Sequence, residues 1–145
     1  MKIEYNNLYT HFIFITLERQ KLISKENRIR IEKYITGIVN NNSCKLYAIY
    51  ANPEHVHFLV SRSPEISEEQ LATIVADSCE RFINTNKLCK SKFIWQRSAS
   101  AFSVSKSDIN RVGKYILNQE SHHKQHTFAE EYDQFIKYYQ ETLRK

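Results

Sequence analysis

Glycine and proline are scarce in this chain, with two of each in 145 residues. No low-complexity run is present either, which excludes Gly/Ser linkers, Pro-rich tracts and fibrous repeats. No apolar stretch approaches the roughly 20 residues that a membrane span needs. A membrane helix is therefore not expected. Met1 to Leu8 are polar and charged and lack the basic-then-apolar layout of a secretory signal, which points to the cytoplasm. Cysteine is limited to Cys44, Cys79 and Cys89, an odd number without Cys-x-x-Cys spacing. Neither a disulfide framework nor a thiolate zinc site fits that pattern.

What remains is a chain of 41% hydrophobic residues, long enough for one compact domain spanning 1–145 and too short for two. Lys and Arg total 21 against 16 Asp and Glu, for a formal charge of +5. That balance suits an anionic partner such as nucleic acid. Nine Tyr, eight Phe and one Trp add rings of the kind on which single-stranded bases stack, although most of them are expected in the core.

Two periodicities alternate along the sequence. Tyr9 to Leu17 is β-branched and aromatic and reads as a strand, ended by the polar patch Glu18 to Lys21. Ser24 is an N-cap candidate for a helix to about Asn41, with Ile31, Tyr34, Ile35, Ile38 and Val39 on one stripe. Lys45 to Tyr50 and His55 to Ser61 read as a hairpin. Ser67 and Gln70 form a capping box for a helix to about Asn86. Phe93-Ile94-Trp95 and Ala101 to Val104 suggest short strands or an edge hairpin. Ser107 is positioned to cap a third helix carrying Val112, Tyr115, Ile116 and Gln119, and Phe128 to Lys145 reads as an amphipathic C-terminal helix. The order predicts an α+β fold, a ferredoxin-like split βαβ with an antiparallel central sheet plus C-terminal helices.

Two motifs carry chemistry. In Asn52-Pro53-Glu54-His55-Val56-His57, alternation along the strand puts His55 and His57 on one face, half of a metal site. Downstream, Tyr115 and Gln119 stand at i and i+4, so a continuing helix presents both on one side. His122, His123 and His126 follow near that stripe. Each motif alone also has a plainer reading, as surface histidines, a packing tyrosine and a solvated amide.

Taken together, His55-Val56-His57 and Tyr115-x-x-x-Gln119 in a small split-βαβ domain resemble the single-tyrosine HUH transposases of small bacterial insertion sequences and the REP-associated tyrosine transposases. The resemblance covers nearly the whole chain. It includes Thr16 and Arg19 at the end of the first strand, Trp95-Gln96, Ala101 to Ser105, and Asn118 to His123 around the tyrosine motif. Leu17 departs from it where a lysine is common, and Ser98-Ala99-Ser100 where a glycine-containing turn is common. Those departures leave a decayed or repurposed copy open.

The resemblance implies an HUH endonuclease/transposase fold and a bacterial cytoplasmic enzyme. It implies that His55, His57 and Gln119 hold Mg²⁺ or Mn²⁺ weakly, completed by DNA, with Glu54, His122 or His123 as accessory groups. Tyr115 would be the nucleophile on single-stranded DNA, at hairpin-containing element ends, forming a 5′-phosphotyrosine. A homodimer is implied, with Phe12 to Ile15 either a candidate edge strand for pairing or, equally, a buried central strand, and Arg19, Lys21, Lys90, Lys92 and Arg97 as DNA contacts. Two other classes stay open on the residues alone. One is a non-cleaving nucleic-acid binding module, and the other a zinc hydrolase using His55, His57 and one of His122, His123 or His126.

Overall fold

The structure, a computed structural model, describes residues 1–121 and 127–143. His122, His123 and His126 lie outside the described residues. Among the described residues, strands and α-helices follow in the order β1 (Tyr9–Ile15), α1 (Lys25–Asn41), β2 (Lys45–Ala51), β3 (His55–Ser61), α2 (Glu68–Thr85), β4 (Ser100–Val104), α3 (Ile109–Leu117) and α4 (Phe128–Leu143). The sheet order is β2-β3-β1-β4 with every neighbouring pair antiparallel, the split βαβ arrangement that the sequence predicts.

Strand alternation separates two layers. Phe12 and Phe14 on β1, with Val56, Phe58 and Val60 on β3, face α1 and α2 and form the main core with Ile31, Ile35, Val39, Leu71, Val75 and Ile83. Phe58 is stacked on Phe12 at 5.0 Å between ring centres and meets Phe14 edge-on at 5.0 Å. Phe58→Ala is expected to cost about 3–5 kcal/mol of stability, read by urea denaturation. The opposite face carries His11, Ile13, Ile15, His55, His57 and Leu59, and receives α3 and α4.

Helix ends follow local chemistry. Ser24 and Ser67 cap α1 and α2, and the Ser67–Gln70 capping box is present in both directions. Both helices stop in Schellman turns, closed by Cys44 N–H to Val39 O and by Leu88 N–H to Ile83 O. In a chain so poor in glycine the left-handed positions fall to Ser43 (φ 58°) and Lys87 (φ 52°).

Several boundaries differ from expectation. β1 ends at Ile15, not Leu17, because Glu18 and Arg19 turn the chain through left-handed φ of 57° and 55°. The run Phe93 to Trp95 forms no strand. Trp95 makes a single bridge to Thr16, and the apolar character of the run is spent on burial of Phe93 and Trp95 against α2 and Phe14. A 3₁₀ turn, Lys106–Asp108, precedes α3, so Asp108 rather than Ser107 stands at the cap position. The segment Phe12 to Ile15 is no sheet edge. β1 lies between β3 and β4, and the edges are β2 and β4. A strand with apolar residues on both faces is one covered on both faces, which explains why it is central. Among the described residues no helix is long and apolar enough to cross a membrane.

Candidate active site

His55 and His57 start β3, one residue apart in the alternation, and both are buried with ring centres 5.0 Å apart. Each ring is held from behind. Glu54 Oε1 is 2.7 Å from His55 Nδ1, so Nδ1–H donates to the carboxylate and the Nε2 lone pair is the acceptor for the Asn52 side-chain amide. His57 Nδ1 lies 2.9 Å from Nε2 of His11, a buried imidazole on β1. One of these two nitrogens carries the shared hydrogen. When His57 Nδ1 carries it, His57 Nε2 is a lone-pair donor like that of His55.

The turn before β3 is built to hold this pair. Asn52 N–H donates to the His55 carbonyl at 2.8 Å. The Asn52 side-chain amide donates to His55 Nε2 at 3.1 Å and reaches Gln119 Oε1 at 3.4 Å. Thr16, at the end of β1, takes the Glu54 carbonyl onto its own N–H at 3.0 Å. Two strand ends and one turn are thereby tied together beneath the imidazoles.

Tyr115 and Gln119 arrive from α3. The helix ends at Leu117, and Asn118 breaks its regularity before residues 119–121 turn helical again. Gln119 stays on the Tyr115 side all the same, its amide donating to the Tyr115 carbonyl at 3.4 Å, and it is fully buried. A solvated amide is thus not what Gln119 is. The Tyr115 ring meets His57 edge-on, 6.0 Å between centres. Burial raises the Tyr115 pKa above its ordinary value, a hydrogen bond to the Glu131 carboxylate adds to the rise, and one to Gln119 opposes it.

α4 supplies the side of the site that the sequence does not disclose. Glu131 Oε1 is 3.0 Å from His57 Nε2, Phe128 packs on the His55 ring at 3.7 Å between centres, and the Tyr132 hydroxyl bonds Ser100 on β4. His55, His57 and Glu131 each turn a ligand atom into one space, all within 4.8 Å of one another. Two imidazole nitrogens with amide and carboxylate oxygens make a donor set that a divalent cation of borderline hardness accepts.

Of the residues proposed for DNA contact, Arg19 adjoins this region, its guanidinium 5.2 Å from the centre of the Phe128 ring. Lys21, Lys90 and Lys92 are exposed side chains in the connections after β1 and α2, outside the buried cluster. Arg97 is not brought to the site either. It pairs with Glu80 of α2 at 2.8 Å, because the connection following Trp95 runs along the α2 side of the sheet. His11, Asn52 and Glu131 were missed in the sequence. His11 carried a usable signal, since His11, Ile13 and Ile15 alternate onto the face that antiparallel pairing gives to His55 and His57.

Burial of neutral imidazoles predicts acid sensitivity. The His55 pKa is lowered from 6.5 to about 4, chiefly by burial, and that of His11 is lowered well below 6.5 for the same first reason. Between pH 6.5 and about 4 the unfolded chain takes up a proton at His55 that the folded chain refuses. Stability is therefore retained above pH 6.5 and lost as pH falls toward 4, on the order of 3 kcal/mol from His55 alone, with His11 acting in the same direction. Urea melts at a series of pH values across this window check it. A flat profile would remove the assignment of His55 as a buried neutral ring.

The sequence model of the family described as "Transposase IS200 like" matches residues 4–119. The chain belongs to the IS200-like transposase family. Two solved structures share the fold of this IS200-like chain. One, from Deinococcus radiodurans and described as a transposase, is 20% identical over 82% of this chain and 96% of its own, with a TM-score of 0.64. The other is a REP-associated tyrosine transposase bound to a REP hairpin, 14% identical over 85% of this chain and 72% of its own, with a TM-score of 0.61. No curated protein sequence matches significantly.

Proposed function

We propose that this IS200-like transposase acts as one domain over residues 1–145, cutting and rejoining single-stranded DNA at the ends of its element through a covalent 5′-phosphotyrosine on Tyr115. The observation that carries the proposal is the convergence on one sheet face of the Tyr115 side chain, the His55–His57 pair and buried Gln119, delivered by elements remote in sequence. His55, His57 and Gln119 are the residues that would hold Mg²⁺ or Mn²⁺, and such an ion, when bound, polarises the scissile phosphate and offsets charge on the leaving oxygen.

The chain's own residues do the rest. The Tyr115 oxygen attacks phosphorus and releases its proton to water, the bond from phosphorus to the 3′-oxygen breaks, and that oxygen takes up a proton from water and leaves as a 3′-hydroxyl. Bond energy kept in the phosphotyrosine lets a 3′-hydroxyl of another strand reverse the step without ATP. Glu54, an accessory group on sequence grounds, holds His55 Nδ1 and acts as a positioning residue. A bound single-stranded base has the exposed cation of Arg19 beside the site.

One nucleophile per chain calls for two chains in a full transposition event, so we place a homodimer contact at an edge strand, β2 or β4. The hairpin held by the REP-associated relative makes a hairpin-containing element end the natural substrate to try. The test is an SDS-gel shift with labelled single-stranded oligonucleotides from the flanks of the gene, with Mn²⁺, with Mg²⁺ and with EDTA. A metal-dependent adduct on single strands, absent from the same sequence as full duplex, is the expected result. Tight binding without any adduct would replace this function with a non-cleaving binding module.

A further inference from the structure

We propose that Glu131, delivered by α4, is a fourth metal ligand, so that the site holds its divalent cation before any DNA arrives. This rests on the reading of His55 and His57 as metal ligands and changes what that reading expects of affinity. His55, His57 and Gln119 alone make a sparse, uncharged set that leans on phosphate oxygens for completion. A carboxylate alters both the count and the charge.

Three features of the geometry lead to Glu131. First, α4 is fixed over the histidines by independent contacts on either side of Glu131. Phe128 lies on the His55 ring, and the Tyr132 hydroxyl bonds Ser100 of β4. The carboxylate is thus aimed by packing. Second, the separation of 3.0 Å between His57 Nε2 and Glu131 Oε1 matches neighbouring ligands in an octahedral shell, which stand about 3 Å apart when metal–ligand bonds are about 2.1 Å. The two atoms need no rearrangement to share an ion. Third, Glu131 is almost wholly buried, and its ligand atom lies within 4.8 Å of those of His55 and His57. A divalent cation fits at the point where these nitrogens and oxygens meet.

Two imidazoles and one carboxylate on one side of an ion also bear on its identity. Imidazole nitrogen suits first-row transition ions better than Mg²⁺, so Mn²⁺ is the expected tighter ligand.

Mn²⁺ titrations of the full chain without DNA, followed by electron paramagnetic resonance and by calorimetry, test this. Glu131→Gln keeps the shape and removes the charge. Glu130→Gln, at an exposed neighbour on the same helix, removes the same charge away from the site. His57→Ala tests the underlying metal site. Weakening by at least about tenfold in Glu131→Gln, little change in Glu130→Gln and loss of binding in His57→Ala are expected. Unchanged or tighter binding in Glu131→Gln, with loss in His57→Ala, overturns the ligand role and makes Glu131 a plug that the ion must displace. Unchanged binding in His57→Ala overturns the metal site itself, and the inference with it. Should Glu131→Gln lose its cooperative melt, Glu131→Asp asks the same question, since drawing the carboxylate back by one methylene must also weaken a direct ligand.

Discussion

Tyr115→Phe is expected to abolish the covalent protein–DNA adduct, by a factor of about a thousand or more, while the protein stays folded and still binds single-stranded DNA. The aromatic ring is retained, so its edge contact with His57 and its place on α3 persist. What disappears is the oxygen that forms the bond to phosphorus. Loss of the hydroxyl also removes a buried polar atom whose surroundings include the Glu131 carboxylate, and a stability change of about 1 kcal/mol is expected. Denaturation curves alongside the gel assay separate these effects. Persistence of the adduct in Tyr115→Phe would move the nucleophile elsewhere in the chain. Loss of DNA binding together with the adduct would show Tyr115 to be a contact residue and not the attacking group.

His57→Ala should lower metal-dependent cleavage by about a hundredfold or more and leave what remains indifferent to EDTA. Here the structure adds a stability term. His57 bridges His11 and Glu131, so its removal opens a cavity and leaves the groups on both sides of the ring to find new partners. A destabilisation of about 2–4 kcal/mol is expected beside the kinetic loss. Cleavage rates measured against Mn²⁺ concentration, at a temperature where the variant is fully folded, distinguish the two. A rate equal to that of the wild type and equally sensitive to EDTA would remove His57 from the site.

Much of the fold was legible because its signals are local. Capping serines, a capping box and the stripe of Ile31, Ile35 and Val39 mark α1 and α2, and β3 was placed from His55 to Ser61 as observed. Failures came where local preference was overruled. The run Phe93 to Trp95 has strand composition yet pairs only through the Thr16–Trp95 bridge, because the Asn84 and Glu80 side chains of α2 take the backbone groups of Phe93 and the N–H of Trp95. For β1 an edge role and a central one both stayed open, because a doubly apolar strand in isolation cannot show what covers it, and the central one is observed. The His55–His57 pair was visible through strand alternation, and Tyr115 with Gln119 through helical spacing, even though the helix breaks at Asn118.

By itself, the sequence determined the split βαβ order, the shared face of His55 and His57 and the helical spacing of Tyr115 and Gln119, because period and spacing operate over a few neighbouring positions, while the chemistry proposed for them came from the family resemblance. Only the tertiary structure decided that His11 stands behind His57, that Asn52 joins His55 to Gln119, and that Glu131 faces both histidines. Those relations depend on antiparallel register and on where α4 docks. Both are outcomes of packing between segments far apart in the chain, which no local pattern encodes.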